Sequence, residues 1–155
     1  MSSAKSANVR QISAEGAALG RLASYVAKLL INGETVHVYN TEQLVLNGSW
    51  EANEREWEHS FELRSVINPF RYSPKRYVRP DTYFRSVVRG MLPIRKPKGR
   101  DAFSRLRAYV GAPSDANLKL EKPDFALARS KKRSQTLGKV SRRFGWKGST
   151  VFKEV

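Results

Sequence analysis

An α/β fold with a parallel sheet is predicted by two short strands and the segment that joins them. Val9 to Ser13 reads as a first strand of weak alternation, and Thr35 to Tyr39 as a second, with β-branched and aromatic residues alternating. Between them Leu19, Leu22, Ala23, Val26, Leu29 and Leu30 recur at helical spacing, so residues 19–32 form an amphipathic helix. Gly33 stands where the helix C′ residue belongs. Strand, glycine loop at Gly16 to Gly20, helix and strand make a βαβ unit, whose crossover sets the two strands parallel.

The remaining elements follow in order. Gln43 to Leu46 is ambiguous: only Asn40-Thr41-Glu42 separates it from the second strand. Three residues cannot carry a parallel crossover, so it either pairs antiparallel or forms a short turn of helix. Ser49 caps a helix running to about Arg64, with Trp50, Trp57 and Phe61 on one face and Glu51, Glu54 and Glu58 away from it. Prolines 69, 74 and 80 rule out long regular structure from Asn68 to Pro80. Asp81 is the expected N-cap of a helix at about 82–90, which carries Tyr83, Phe84, Val87, Val88 and Met91. Gly99 to Arg105 reads as a short helix and Leu106 to Val110 as a final strand, ended by Gly111-Ala112-Pro113. Beyond Pro123 the basic composition predicts a segment that orders largely on a partner. Residues 1–128 are thus expected as a single α/β domain, and 129–155 as a basic C-terminal extension.

At 155 residues the chain is long enough to bury roughly 70% of its unfolded surface without a cofactor. It has no cysteine, which excludes disulfides, thiolate zinc sites and cysteine nucleophiles. Met1 to Asn8 is small and polar, and no apolar run is long enough to cross a membrane, so an intracellular soluble protein with no membrane partner is expected.

The charge is divided unevenly. The formal net charge is +15, yet residues 1–70 hold 6 Lys and Arg against 8 acids. Residues 71–111 hold 12 against 2, and residues 129–147 hold 8 against none. A weakly acidic scaffold joined to a strongly basic half is the electrostatic footprint of a nucleic-acid binder. Arg71, Lys75, Arg76 and Arg79 alternate with Tyr72 and Tyr77 in the first proline-rich loop. Arg85 and Arg89 are four apart and project from one helix face. Arg95, Lys96, Lys98 and Arg100 follow in the second proline-rich stretch. Guanidinium forks suit phosphate oxygens, and tyrosines stack on unpaired bases. In the tail, Lys131, Lys132, Arg133, Arg142, Arg143 and Lys147 extend the set, with Phe144 and Trp146 beside the second cluster.

Signals for catalysis are thin. Gly16 and Gly20 flank an alanine pair, whereas a dinucleotide fingerprint needs three glycines, and no acid closes the second strand. His37 and His59 lie far apart and in no metal spacing, so they read as packing or surface residues, and no metal or cofactor is expected. Two further classes stand beside RNA binding: an RNA-acting enzyme on a Rossmann-like sheet, which needs a pocket and a cofactor, and a DNA-compacting protein.

Certain blocks resemble a known family. Gly20-Arg21-Leu22-Ala23-Ser24, Asn32-Gly33-Glu34 and Val38-Tyr39-Asn40-Thr41-Glu42 are similar to the universal large-subunit ribosomal protein L-thirteen family. So are Val88-Arg89-Gly90-Met91-Leu92-Pro93, Gly99-Arg100 and Leu106-Arg107-Ala108-Tyr109-Val110-Gly111, over about residues 9–113. Thr136 to Ser141 with Gly145-Trp146-Lys147 resembles the archaeal and eukaryotic branch. The family usually has an acid where Ser13 stands, and bulkier apolar residues at Ala17-Ala18. The resemblance implies a three-layer α/β/α fold around a mostly parallel, four-stranded sheet. It implies a structural constituent of the large ribosomal subunit in the cytoplasm, bound to large-subunit ribosomal RNA and neighbouring ribosomal proteins. It implies no catalysis and no small-molecule substrate.

Overall fold

A computed structural model describes residues 9–112, 120–128 and 134–148. The βαβ unit forms as its pattern dictates. β1 (Val9–Ser13) and β2 (Thr35–Tyr39) pair in parallel, with Ile12 opposite Val38, across helix α1 (Leu19–Ile31). Leu22, Val26 and Leu30 of α1 are buried with Ile12, Val36 and Val38, because the helix period of 3.6 and the strand period of 2 bring these faces together. A 3-10 turn (Thr41–Gln43) and strand β3 (Val45–Asn47) follow, then α2 (Trp50–Glu62), a single turn α3 (Pro69–Tyr72), α4 (Pro80–Met91), α5 (Pro97–Ser104) and β4 (Leu106–Ala108). β4 pairs in parallel with β2, so the sheet order is β1-β2-β4. Phe84 and Val88 of α4, Ala102 of α5 and Leu106 of β4 complete the core.

Among the described residues the sheet has three strands rather than the four expected. The place of a fourth is taken by one parallel bridge from Ile12 to Glu121, made by the Glu121 amide on the Gln11 carbonyl and the Ser13 amide on the Glu121 carbonyl. Pro123 follows two residues later and has no amide to donate, so the pairing does not extend. Ser13 is buried, and its hydroxyl accepts from the Asn40 side chain and the Glu15 amide, each at 3.4 Å.

Both readings of residues 43–46 hold in part. The chain makes its 3-10 turn first and then β3, which pairs antiparallel with β5 (Ser134–Thr136) of the tail, Val45 opposite Thr136. Helix α6 (Leu137–Arg143) continues from β5, and Leu137, Val140 and Ser141 are buried. Much of the basic segment beyond Pro123 was expected to order on a partner, yet its described parts, up to residue 128 and from 134 to 148, pack within the chain. Ala126 is fully buried, while Phe125, largely exposed, meets Tyr25 edge-on at 4.8 Å.

Two helix boundaries differ from expectation. α4 starts at Pro80 with Arg79 as N-cap, and Asp81 lies inside the first turn. A proline at the first helical position sacrifices no bond, since that amide has no intrahelical partner. α5 likewise starts at Pro97. Ser49 does cap α2, its hydroxyl accepting from the Ala52 amide at 3.2 Å. Ser49→Ala is expected to cost about 1 kcal/mol, seen as a lower urea midpoint at unchanged slope. The aromatic face of α2 meets α4 and the tail: Trp57 lies 4.8 Å from Tyr83 and 5.3 Å from Phe144, which stacks on Phe61.

Candidate nucleic-acid interface

α4 organises the basic surface. Thr82, Arg85, Ser86 and Arg89 fall at offsets of 0, 3, 4 and 7, so the helix aligns them on one face. That face lines a groove of about 640 Å³, closed by Lys75 and Tyr77 from the preceding loop and by Phe103 of α5. The Arg85 guanidinium lies over the Phe103 ring at 5.3 Å, and its buried Nε has no hydrogen-bond partner. The ring holds the cation by its π-face and leaves its donors uncommitted.

The groove continues in both directions. Arg89 also lines an adjoining hollow of about 530 Å³ with Leu92, Pro93, Ile94, Arg95 and Lys96. This loop is tightly wound: the Lys96 amide bonds the Pro93 carbonyl at 3.0 Å, and α5 lies so close that a Cβ on Gly99 would collide with that carbonyl. Only glycine lets α5 press the cationic loop against the end of α4. On the other side Lys75, Tyr77 and Ser86 border a smaller hollow with Arg76 and the aromatics Trp57, Phe61 and Tyr83. Lys75, Arg89, Arg95, Lys96, Lys98 and Arg100 make no side-chain ion pair among the described residues. A row of cations without acids keeps its field for an external anion.

Other expected residues are placed differently. Arg79 is held bidentately by Asp81, at 3.0 and 3.2 Å, and borders a separate hollow that also brings in Trp146 and Lys147 of the tail. Arg76 donates to the Leu63 carbonyl at 3.0 Å. Arg71 lies over the ring of Tyr72, away from the groove. Arg143 is paired with Glu54 at 2.7 Å, which ties the tail to α2 and raises the guanidinium pKa through the hydrogen bond and charge of that carboxylate. Lys98, Arg100 and Arg142 are exposed. Lys131, Lys132 and Arg133 lie outside the described residues. Thr82, Ser86 and Phe103 line the groove but were not singled out from sequence, although the helical offsets from Arg85 and Arg89 point to the first two.

The glycine loop does not present a phosphate cradle. The Gly16, Ala17 and Ala18 amides donate to the carbonyls of Gln43, Ala14 and Ala126. Gly16, at φ +68°, serves a turn packed against Leu127. His37 lies in β2 beside Tyr109, its pKa lowered by burial and secondarily by the charge of Arg107. Among the described residues no group of His, Asp and Glu side chains is placed to hold a metal ion, and no helix is long and apolar enough to cross a membrane.

Comparison with known proteins bears on this arrangement. Residues 7–115 match the family model of ribosomal protein L13. The chain is 41% identical to the large ribosomal subunit protein uL13 of Methanocaldococcus jannaschii over 136 residues, 88% of this chain and 97% of that protein. It is 44% identical to the protein of that name from Methanopyrus kandleri over 114 residues, covering 72% and 69%. For Aeropyrum pernix the identity is 38% over 141 residues, covering 88% and 90%.

Proposed function

The chain belongs to the ribosomal protein L13 family, and from that premise we propose that it is a structural component of the cytoplasmic large ribosomal subunit that binds large-subunit ribosomal RNA. The observation that carries the RNA reading is the groove along α4, where Lys75, Arg85 and Arg89 stand without acidic partners beside Tyr77 and Phe103. Phosphates take the cations, and the rings and the Thr82 and Ser86 hydroxyls face bases and sugars. Arg95 and Lys96 carry the backbone path onward; Lys98 and Arg100 continue it on α5. Arg79 and Lys147 form a second point of contact, and Lys131, Lys132, Arg133 and Arg142 extend it, whereas Arg143 stays with Glu54. The chemistry needed is recognition of a polyanion, with no bond made or broken, so the chain is a scaffold protein and takes no cofactor.

Two experiments test this. In a sucrose gradient the tagged chain migrates with the large subunit and stays there after a high-salt wash; a chain left at the top overturns the proposal. Arg85→Ala with Arg89→Ala is expected to weaken binding to isolated large-subunit ribosomal RNA roughly 30-fold, at about 1 kcal/mol per lost phosphate contact. Circular dichroism and melting temperature should stay unchanged, because Arg89 is exposed and Arg85 half-buried at the groove. Unaltered RNA affinity would remove α4 from the interface.

A further inference from the structure

The segment between α2 and α4 exposes apolar side chains that the RNA groove does not use. Val66 is 98% exposed, Ile67 77% and Phe70 102%, with half-exposed Leu63 at their base. Adjacent large apolar residues standing wholly in water mark a contact surface rather than ordinary surface scatter. The segment is also shaped. The Ser65 amide donates to the Ser73 hydroxyl at 3.1 Å, and the Ser65 hydroxyl to the Ile67 carbonyl at 3.0 Å. Asn68, in the left-handed region at φ 49°, caps α3 by accepting from the Arg71 amide. A knob braced in this way presents its side chains with little ordering left to do on binding.

We propose that this knob docks into a neighbouring protein of the large subunit, in an apolar pocket edged by carboxylates. The inference rests on the ribosomal placement above. Branched aliphatic side chains have no π-face to stack on a base and no donor for a phosphate, so Val66 and Ile67 gain nothing from RNA that an aromatic would not gain better. The wide, shallow minor groove of an RNA helix offers no cleft for an aliphatic wedge. A hydrophobic pocket on a protein buries all three at once, the usual anatomy of an interface anchor. The rim follows from charge. No acid occurs between Leu63 and Pro80, and Arg64 and Arg71 flank the tip, so the matching surface is acidic. A second copy, itself at +15, is repelled.

The test replaces Phe70 by p-benzoylphenylalanine in the full chain, isolates large subunits through a high-salt gradient, and irradiates them. A crosslink to one ribosomal protein, in an apolar peptide containing Asp or Glu, is the expected result. A crosslink to ribosomal RNA, or none, overturns the proposal while leaving the RNA groove intact. Absence of the chain from the subunits overturns the ribosomal placement itself. The variant Ile67→Ser with Phe70→Ser should bind isolated large-subunit RNA within about twofold of the parent, yet be retained on salt-washed subunits at least about fivefold less. A matching loss of RNA affinity would assign the knob to RNA instead.

Discussion

Replacing Leu137 by alanine will lower the unfolding free energy by about 3 kcal/mol, a large share of the roughly 5–15 kcal/mol that holds a domain of this size together. Leu137 is fully buried at the start of α6, and its amide donates to the Leu44 carbonyl at 2.7 Å. The site cannot collapse to fill the space. A Cβ on the next residue, Gly138, would already lie 3.0 Å from the Glu42 carbonyl oxygen, so α6 has no room to move closer. The 3-10 turn on the other side is fixed as well. The Thr41 hydroxyl donates to the Tyr109 carbonyl at 2.9 Å, and Glu42 accepts from the Gly111 amide. The truncated side chain therefore leaves a cavity. Chemical denaturation of the purified variant measures the loss. A change below about 0.5 kcal/mol would mean that α6 contributes nothing to the folded core.

That prediction concerns a segment whose order was not legible in the sequence. Composition averages over a window, and the window from 129 to 147 is dominated by eight cations. What decides its fate is the placement of single residues: Leu137, Val140 and Phe144 recur at offsets of 0, 3 and 7, which is one helix face. The strand preceding them was hidden for a different reason. Ser134 to Thr136 has no apolar alternation and exists only because β3, about ninety residues earlier, needs a partner. A long-range pair of this kind leaves no mark on either local pattern. The βαβ unit was legible because both of its signals are local: the apolar period of α1 and the alternation of β2 fall on adjacent stretches.

The site divides in the same way. Arg85 and Arg89 were legible as one helix face, and the structure adds Thr82 and Ser86 on that face. Which cations face outward was not legible, since it depends on partners distant in sequence or on caps. Arg143 meets Glu54, 89 residues away, and Arg105 donates to the Leu30 carbonyl at 2.7 Å. The role of Asp81 was misread: once Pro80 opens α4, Asp81 lies in the first turn and grips Arg79 instead of capping the helix.

These pairings set the scale of the largest effect expected in solution. Affinity for isolated large-subunit ribosomal RNA should fall by about four to five orders of magnitude between 50 and 200 mM monovalent salt. That range follows if about 8 phosphates are neutralised and each releases close to one counterion. The unpaired cations of the groove and its continuation, Lys75, Arg85, Arg89, Arg95, Lys96, Lys98 and Arg100, nearly supply that number. Arg143 and Arg79 already face carboxylates, so meeting a phosphate requires giving up an internal pair, and each adds little to the slope. The comparison of single variants follows. Arg89→Gln should flatten the plot of log affinity against log salt by about one unit, while Arg143→Gln leaves the slope nearly unchanged. Filter binding across a salt series measures both. A parent slope of about 2 or less would mean that the RNA is held by shape and stacking instead of charge. Equal flattening by the two variants would mean that the Glu54 pair opens when RNA arrives, and that the tail leaves α2 to join the interface.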